Sequence, residues 1–385
     1  MKPLLAYRDE FPILEETTYL VSHSLGPMPA GARRRLTEFA DAWDTRGARA
    51  WSEGWWELPM TVGDSVGRIV GAPQGSVVMH QNVTVAEGVV LSCFAFDGER
   101  RRIAYMEADF PSVRYLHQAQ TARGAELAPA RDVPSLVDSI DERTLLVAVS
   151  HVLFKTGEIQ DVEAVVARAH EFGALVILDA YQSAGTVPLD VVALDVDFAV
   201  GGSVKWLCGG PGAGWLYVRP DVGERLEPTF TGWQAHARPF GFEPEHEYAA
   251  GAARFLTGTP NVPALYAATA GYDIVAEVGV EAIRAQSMRQ TALLVELLER
   301  ASFDVVGPRE PDRRGGTVVV RAPEFEAVQR ELDTRDVLCD ARPDAGIRLG
   351  PHFYNTDDEL RFAVDQIAEI VETGAYGRHL AAAGA

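Results

Sequence analysis

Cysteine is nearly absent from this chain: Cys93, Cys208 and Cys339 are the only three in 385 residues. They lie far apart, with no CxxC and no metal-ligand spacing, so neither a disulfide framework nor a metal site is expected. Basic residues are scarce as well. Thirty-five Lys plus Arg stand against 55 Asp plus Glu, a formal net charge of -20. Nucleic acid and anionic membrane surfaces both attract basic patches, so this balance argues against either partner. Any anionic ligand must be held by local cations working against the global field. No apolar run approaches the length of a membrane span. The opening MKPLLAYRDEFPILEE turns acidic before a signal-like apolar core develops. A cytoplasmic location is the expectation, and the alanine-rich tail over 381–385 is expected to fray.

What the chain does have is a regular alternation of apolar strands and amphipathic helices. Helices are expected over about 30–44 and 60–70, then a strand over 76–79 and a helix from Val83 onward. RRIAYM and TLLVAVS read as strands, and 162–173 reads as a helix leading into a strand that ends at Asp179. Strand, helix and strand in this order predict an α/β fold with a mainly parallel sheet covered on both faces. Two long helices, over 264–278 and 280–301, precede a compact α+β run of strand TVVVRA, helix EFEAVQREL, strand GIRLG and helix DDELRFAVDQIAEIVE. The division expected is a large domain over 45–263 and a small one made of 1–44 plus 264–385.

The chemistry concentrates between Val176 and Val218. Four apolar residues end at Asp179, which delivers a carboxylate at a strand's C-terminal end, where open α/β sheets bind ligands. A second short strand, DFAVGGS, leads to a single lysine, Lys205, among apolar and glycine neighbours. Burial lowers the pKa of an ammonium group, and a desolvated lysine suits Schiff-base chemistry. An upstream aspartate fits the partner of a pyridinium nitrogen. The junction HQNVTV joins a strand to a helix and offers backbone N–H groups to a phosphate. Trp51, Trp55 and Trp56 crowd one connector, where core or interface packing is their expected use.

These segments, DAYQSAG, DFAVGGSVKW and GGPGAGWLYV, resemble the cofactor region of the class V aminotransferase family, pyridoxal 5'-phosphate (PLP) enzymes of fold type I. Within it the likeness is to the kynureninases and runs nearly the whole chain, through SLGPMP, RGARAW, SHVLFKTG, GWQAHARPF, RFLTGTP and GIRLGPHFYNT. The resemblance implies a seven-stranded large domain, a small α+β domain and a homodimer with its active site at the interface. It also implies Asp179 on the pyridine nitrogen, Lys205 as the lysine that binds the cofactor covalently, and Gln182 beside the ring hydroxyl. Phe110 is implied to stack on the ring, with Asn82, Val83 and Ser203 on the cofactor side. Thr257 to Thr259 would reach across the interface toward the phosphate or the substrate. For the substrate it implies Arg348 on the α-carboxylate, with Trp233, His23 and His151 bordering the pocket.

The activity implied is that of a kynureninase-like hydrolase. It would cleave the Cβ–Cγ bond of a β-acyl amino acid, L-kynurenine or an analogue, to alanine and an aromatic acid. Alternatives are a β-lyase, an epimerase, a desulfurase-like enzyme, or a PLP-binding protein without turnover. Three departures bear on the choice. Val204 stands where kynureninases carry a tyrosine, Gln182 where they carry a histidine, and His23 where asparagine is usual. The desulfurase alternative lacks a cysteine after Arg348, and Cys208 reads as a small packed residue rather than a nucleophile.

Overall fold

The computed structural model describes residues 2–382; Met1 and the last three residues of the expected frayed tail lie outside it. In chain order, β1 (Thr18–Tyr19) is followed by α1 (Ala30–Arg46) and α2 (Leu58–Val70). Next come β2 (Val77–His80), α3 (Val83–Leu91), β3 (Arg102–Met106), α4 (Pro111–Ala119), β4 (Glu126–Ala130) and α5 (Val133–Ser139). Then follow β5 (Thr144–Ser150), α6 (Val162–Glu171), β6 (Leu175–Asp179), β7 (Phe198–Gly202), β8 (Gly214–Val218) and the short α7 (Pro220–Gly223). Helices α8 (Val262–Val278) and α9 (Val280–Arg300) lead to β9 (Asp304–Val306), β10 (Val318–Arg321) and α10 (Phe325–Asp333). The chain closes with β11 (Val337–Leu338), β12 (Asp340–Arg342), β13 (Gly346–Leu349) and α11 (Asp357–Thr373).

Seven strands form the large sheet in the order β2-β8-β7-β6-β5-β3-β4. The pairs from β7 to β4 are parallel, whereas β8 runs antiparallel to both of its neighbours. The apolar runs follow from burial on both faces. In β5, Leu146 and Ala148 enter one core while Val147 and Val149 enter the other, so alternate residues are apolar on both sides. Helix α6 buries Val162, Val165, Val166 and Ala169 on one stripe and is started by Asp161, whose carboxylate accepts from the Ala164 N–H at 3.1 Å. Helix α2 stops at Gly71, whose φ of 71° is the left-handed conformation glycine adopts without strain.

The smaller sheet is antiparallel, β12-β13-β10-β9, and packs Val318, Val320, Ile347 and Leu349 against Leu294, Leu298 and Ile367 of α9 and α11. The fold is thus α/β, with a large mixed sheet and a smaller antiparallel one. Strand β1 pairs in parallel with β11, and Leu20 enters the small core, so the N-terminus is tied to the C-terminal unit. The boundary expected at 263/264 falls inside the start of α8. Leu265, Ala268, Tyr272 and Val275 of that helix lie in the large sheet's core, and we place the change of core within α9. Two features were not expected from sequence: β4, an edge strand carrying Pro129 and Glu126, and the reversed direction of β8. Among the described residues no helix is long and apolar enough to cross a membrane.

Candidate active site

The C-terminal ends of β3, β5, β6 and β7 meet at one edge of the large sheet. Register sets Ser150 of β5 beside Asp179 of β6, and Asp179 beside Val200 of β7. Asp109, just past β3, accepts from the Ser150 hydroxyl at 2.7 Å and from the Met106 N–H at 3.0 Å. Those bonds fix the turn that carries Phe110, whose ring is 42% exposed at the mouth of α4. Burial, and then the nearby Asp179 charge, push the Asp109 carboxyl up to about 7, against the Ser150 hydrogen bond. Sequence reading missed Asp109; its one signal was its place directly before the Phe110-Pro111 turn.

Lys205 and Asp179 face a common cavity of about 290 Å³, together with Phe110, Gln182, Val204 and Arg348. Asn82, Val83 and Thr84, at the start of α3, close its other side. The Lys205 Nζ lies 4.2 Å from the centre of the Tyr181 ring and 5.7 Å from that of Phe110. Among the described residues it has no hydrogen bond and no ion pair. Burial lowers its pKa, opposed by the Asp179 charge. Burial in turn raises the Asp179 carboxyl, while the Tyr181 N–H, donated at 2.8 Å, and Lys205 hold it down.

Arg348 enters from β13. Its Nε donates to Asp340 of β12 at 2.7 Å, its Nη2 to the other oxygen of the same carboxylate, and its Nη1 to the Phe154 carbonyl at 2.7 Å. An arginine carries five N–H groups, so two remain for a ligand. Burial alone would raise Asp340, but the His23 hydrogen bond and then Arg348 hold its carboxyl far below the usual range. His23 is fully buried and donates from Nε2 to Asp340 at 2.9 Å. Burial, then the Arg348 charge, lower its pKa to about 4, so the imidazole is neutral. The Gln182 amide is already engaged: it donates to the His23 carbonyl at 3.1 Å and accepts from the Trp206 indole at 3.2 Å. The indole can only donate, which fixes the orientation of the amide. The loop carrying His23 is held close by the Gly26 N–H, 2.7 Å from the Val204 carbonyl. A Cβ on Gly26 would lie 2.2 Å from the Lys205 carbonyl oxygen, so this approach needs glycine.

Other residues singled out in the sequence lie off this wall. The Ser203 hydroxyl donates to the Ala213 carbonyl at 2.5 Å and pairs with the Tyr272 hydroxyl. His151 is buried behind β6, its backbone N–H on the Asp179 carbonyl at 2.9 Å. Trp233 packs on Trp56, with ring centres 4.7 Å apart, and on Phe242 in an exposed aromatic cluster. Thr259 is exposed, in a turn whose neighbours Thr257 and Gly258 border a separate small hollow with Met79 and His80. Trp51 and Trp55 pack at 5.4 Å in a core with Phe39 and Tyr266. Asp340, Arg342 and Tyr181 stand at the site although the sequence assigned them no role; nothing local marked Asp340 and Arg342, and Tyr181 stood only within the DAYQSAG segment.

The cavity fits PLP. The cofactor needs an amine for its aldehyde, a carboxylate for its ring nitrogen and donors for its phosphate. Lys205 is an enclosed amine without a partner, and one oxygen of Asp179 is free of hydrogen bonds among the described residues. At α3, the Asn82 side chain accepts from the Val85 N–H at 3.0 Å and its carbonyl from Ala86, leaving the N–H groups of Val83 and Thr84 unused.

Comparison with known proteins agrees with this architecture. Residues 56–354 match the family described as aminotransferase class-V. A kynureninase of Pseudomonas fluorescens is 32% identical over 385 residues, covering 96% of this chain and 92% of the relative. An uncharacterized aminotransferase of Bacillus subtilis, YcbU, is 31% identical over 366 residues, covering 94% and 96%. Among solved structures, the apo cysteine desulfurase of Thermococcus onnurineus superposes with a TM-score of 0.85 at 21% identity, covering 97% of this chain and 99% of that one. The cystine C–S lyase C-DES, in complex with cysteine persulfide, gives 0.83 at 22% identity, covering 93% and 99%. At those identities the structures attest the fold. An enclosed lysine facing a strand-end carboxylate, on this sheet and with these relatives, places the chain in the class-V aminotransferase family of PLP-dependent, fold type I enzymes.

Proposed function

We propose that this enzyme binds an α-amino acid by its carboxylate at Arg348 and breaks a bond on the Cβ side. The observation that carries the reading is that Lys205, Asp179 and Arg348 line one cavity. Bound there, PLP supplies an electron sink for the carbanion formed at Cα. Lys205, depressed by burial, takes the Cα proton as a neutral amine. Asp179 keeps its negative charge when a cationic ring nitrogen stands opposite. The two uncommitted N–H groups of Arg348 hold the substrate carboxylate, while Asp340 keeps the guanidinium from turning. Phe110 and Tyr181 supply aromatic walls.

The first reading within this class is kynureninase-type hydrolysis of a β-acyl amino acid to alanine and an aromatic acid. Its support is the whole-length likeness to relatives named kynureninase. A second reading, β-elimination, is favoured by Val204: the side chain beside Lys205 on the cavity wall has no hydroxyl to return a proton to Cβ. Persulfide chemistry lacks support, because burial pushes the Cys208 thiol up to about 12 and Cys339 is buried as well. Incubating the PLP form with L-kynurenine and with β-substituted alanines, followed by mass spectrometry, separates these. Alanine with anthranilate supports the first reading and pyruvate with ammonia the second; turnover confined to transamination overturns both.

The proposal includes a homodimer. Trp233 and Thr259 lie away from their own cavity, and an apolar groove exposes Ile13, Leu25, Met28 and Leu36. Sedimentation of the PLP form at micromolar concentration tests it, a monomer being the adverse result.

A further inference from the structure

Tyr181 follows the catalytic carboxylate by two residues and leans over the end of the neighbouring strand. A Cβ placed on Gly202 would fall 2.4 Å from the Tyr181 Cζ and 2.5 Å from its hydroxyl oxygen. Gly202 has no positive φ, so its backbone would accept any residue. The phenol, and not the chain path, demands glycine there. Gly202 pairs with Gly214 across β7 and β8. A Cβ on Gly214 would in turn lie 2.7 Å from the Asn82 Cα, the cap of α3. Of these two cross-strand glycines, Gly202 thus faces the Tyr181 phenol and Gly214 the start of α3.

At that end of the cavity Thr84, in the first turn of α3, brings one hydroxyl. Ser203 spends its hydroxyl on Ala213 and Tyr272, and Val204 has none. The Tyr181 hydroxyl has no hydrogen-bond partner among the described residues, and Tyr181 lines the cavity. Burial, then the Asp179 charge, push it up to about 12, so it is a protonated donor at neutral pH. The global charge of -20 makes each such donor to an anion matter more.

We propose that Tyr181 is a cofactor-binding residue whose hydroxyl donates to the phosphate of PLP beside the free N–H groups of α3, and that Gly202 exists to make room for it. The inference rests on the cofactor and not on which amino acid is turned over, so a negative product test leaves it standing. It is tested by titrating apoprotein with PLP and, separately, with pyridoxal, which lacks the phosphate, and following absorbance. Tyr181→Phe should weaken PLP about ten- to a hundredfold, the usual effect of losing one charge-assisted hydrogen bond, and leave pyridoxal unchanged. Gly202→Ala, which pushes the ring aside, should weaken PLP in the same selective way. The double variant Tyr181→Ala with Gly202→Ser returns a hydroxyl to nearly the same point and should recover much of the PLP affinity. Unchanged PLP affinity in Tyr181→Phe, or equal losses for PLP and pyridoxal, would overturn the assignment.

Discussion

Arg348 donates to both oxygens of Asp340, so the guanidinium that faces the cavity is already held in place by the protein. His23 and Arg342 complete the set around the same carboxylate, Arg342 at 2.8 Å. A fork locked on one edge loses little entropy when a ligand carboxylate takes its remaining N–H groups.

Arg348→Lys keeps the charge but cannot reproduce that fork. Losing a charge-assisted pair costs roughly 1.5–3 kcal/mol, or about ten- to a hundredfold in kcat/KM for amino-acid substrates. The absorbance of the bound cofactor should not move. Steady-state kinetics that match the wild type would exclude Arg348 as the carboxylate anchor.

Asp340→Asn probes the same pair from the other side. It removes the charge facing a buried guanidinium, so stability should fall by about 2 kcal/mol. KM should rise more than kcat falls, because orientation of Arg348 and not proton transfer is impaired. A denaturant midpoint and a KM both unaltered would show that Asp340 does not position Arg348.

Borohydride reduction of the PLP form should leave the pyridoxyl group on Lys205. Peptide mapping by mass spectrometry reads this directly. Label on Lys155, which is exposed and pairs with Asp344, would displace Lys205 from its role.

Asp179→Asn should fold and bind PLP but lower turnover by orders of magnitude, since a neutral amide cannot keep a ring nitrogen protonated. A variant turning over near the wild-type rate would remove that role from Asp179.

Stability should fall as the pH drops below neutrality. Burial is the largest cause in lowering His23, His80, His151 and His352 from 6.5 to about 4. Between those values the unfolded chain takes up protons that the native one refuses, so the stability present above pH 6.5 is lost progressively toward pH 4. Asp109, raised to about 7, and Asp179 work the other way and stabilise the fold as they protonate. Four groups oppose two, and Tm should decline from pH 7 to pH 5. Asp109→Asn should steepen the decline and His80→Leu should flatten it. A Tm that rises on acidification would contradict this balance.

The placement of Asp179 and Lys205 was legible in the sequence because it depends on short-range facts. An apolar run ending in aspartate is a buried strand with its carboxylate at the open edge. Glycines at 201, 202 and 209 mark close approaches around the lysine, and Gly210 a left-handed turn with φ of 72°. The helices were legible for a similar reason: caps such as Asp161 and stripes such as Val162–Ala169 are local. Strand β4 was not, since an edge strand needs fewer apolar residues than a central one.

The surroundings of those two residues were decided by tertiary structure. Arg348 and Asp340 meet because β12 and β13 pair antiparallel in one register, with Asp340 opposite Arg348. A shift of one residue would send their side chains to opposite faces. Ser203 precedes the lysine segment as the resemblance suggested, yet Tyr272, arriving from α8, draws its hydroxyl away from the cavity. Trp233 and Thr259 sit outside their own cavity because the loop between β8 and α8 folds over Trp56 and His80 instead. Tyr181 was quoted in the motif without a role, and only the packing of its ring over Gly202 shows which way the hydroxyl points. Backbone propensity and burial fix where a side chain starts. Where its polar end arrives depends on partners from distant segments, which one sequence does not name.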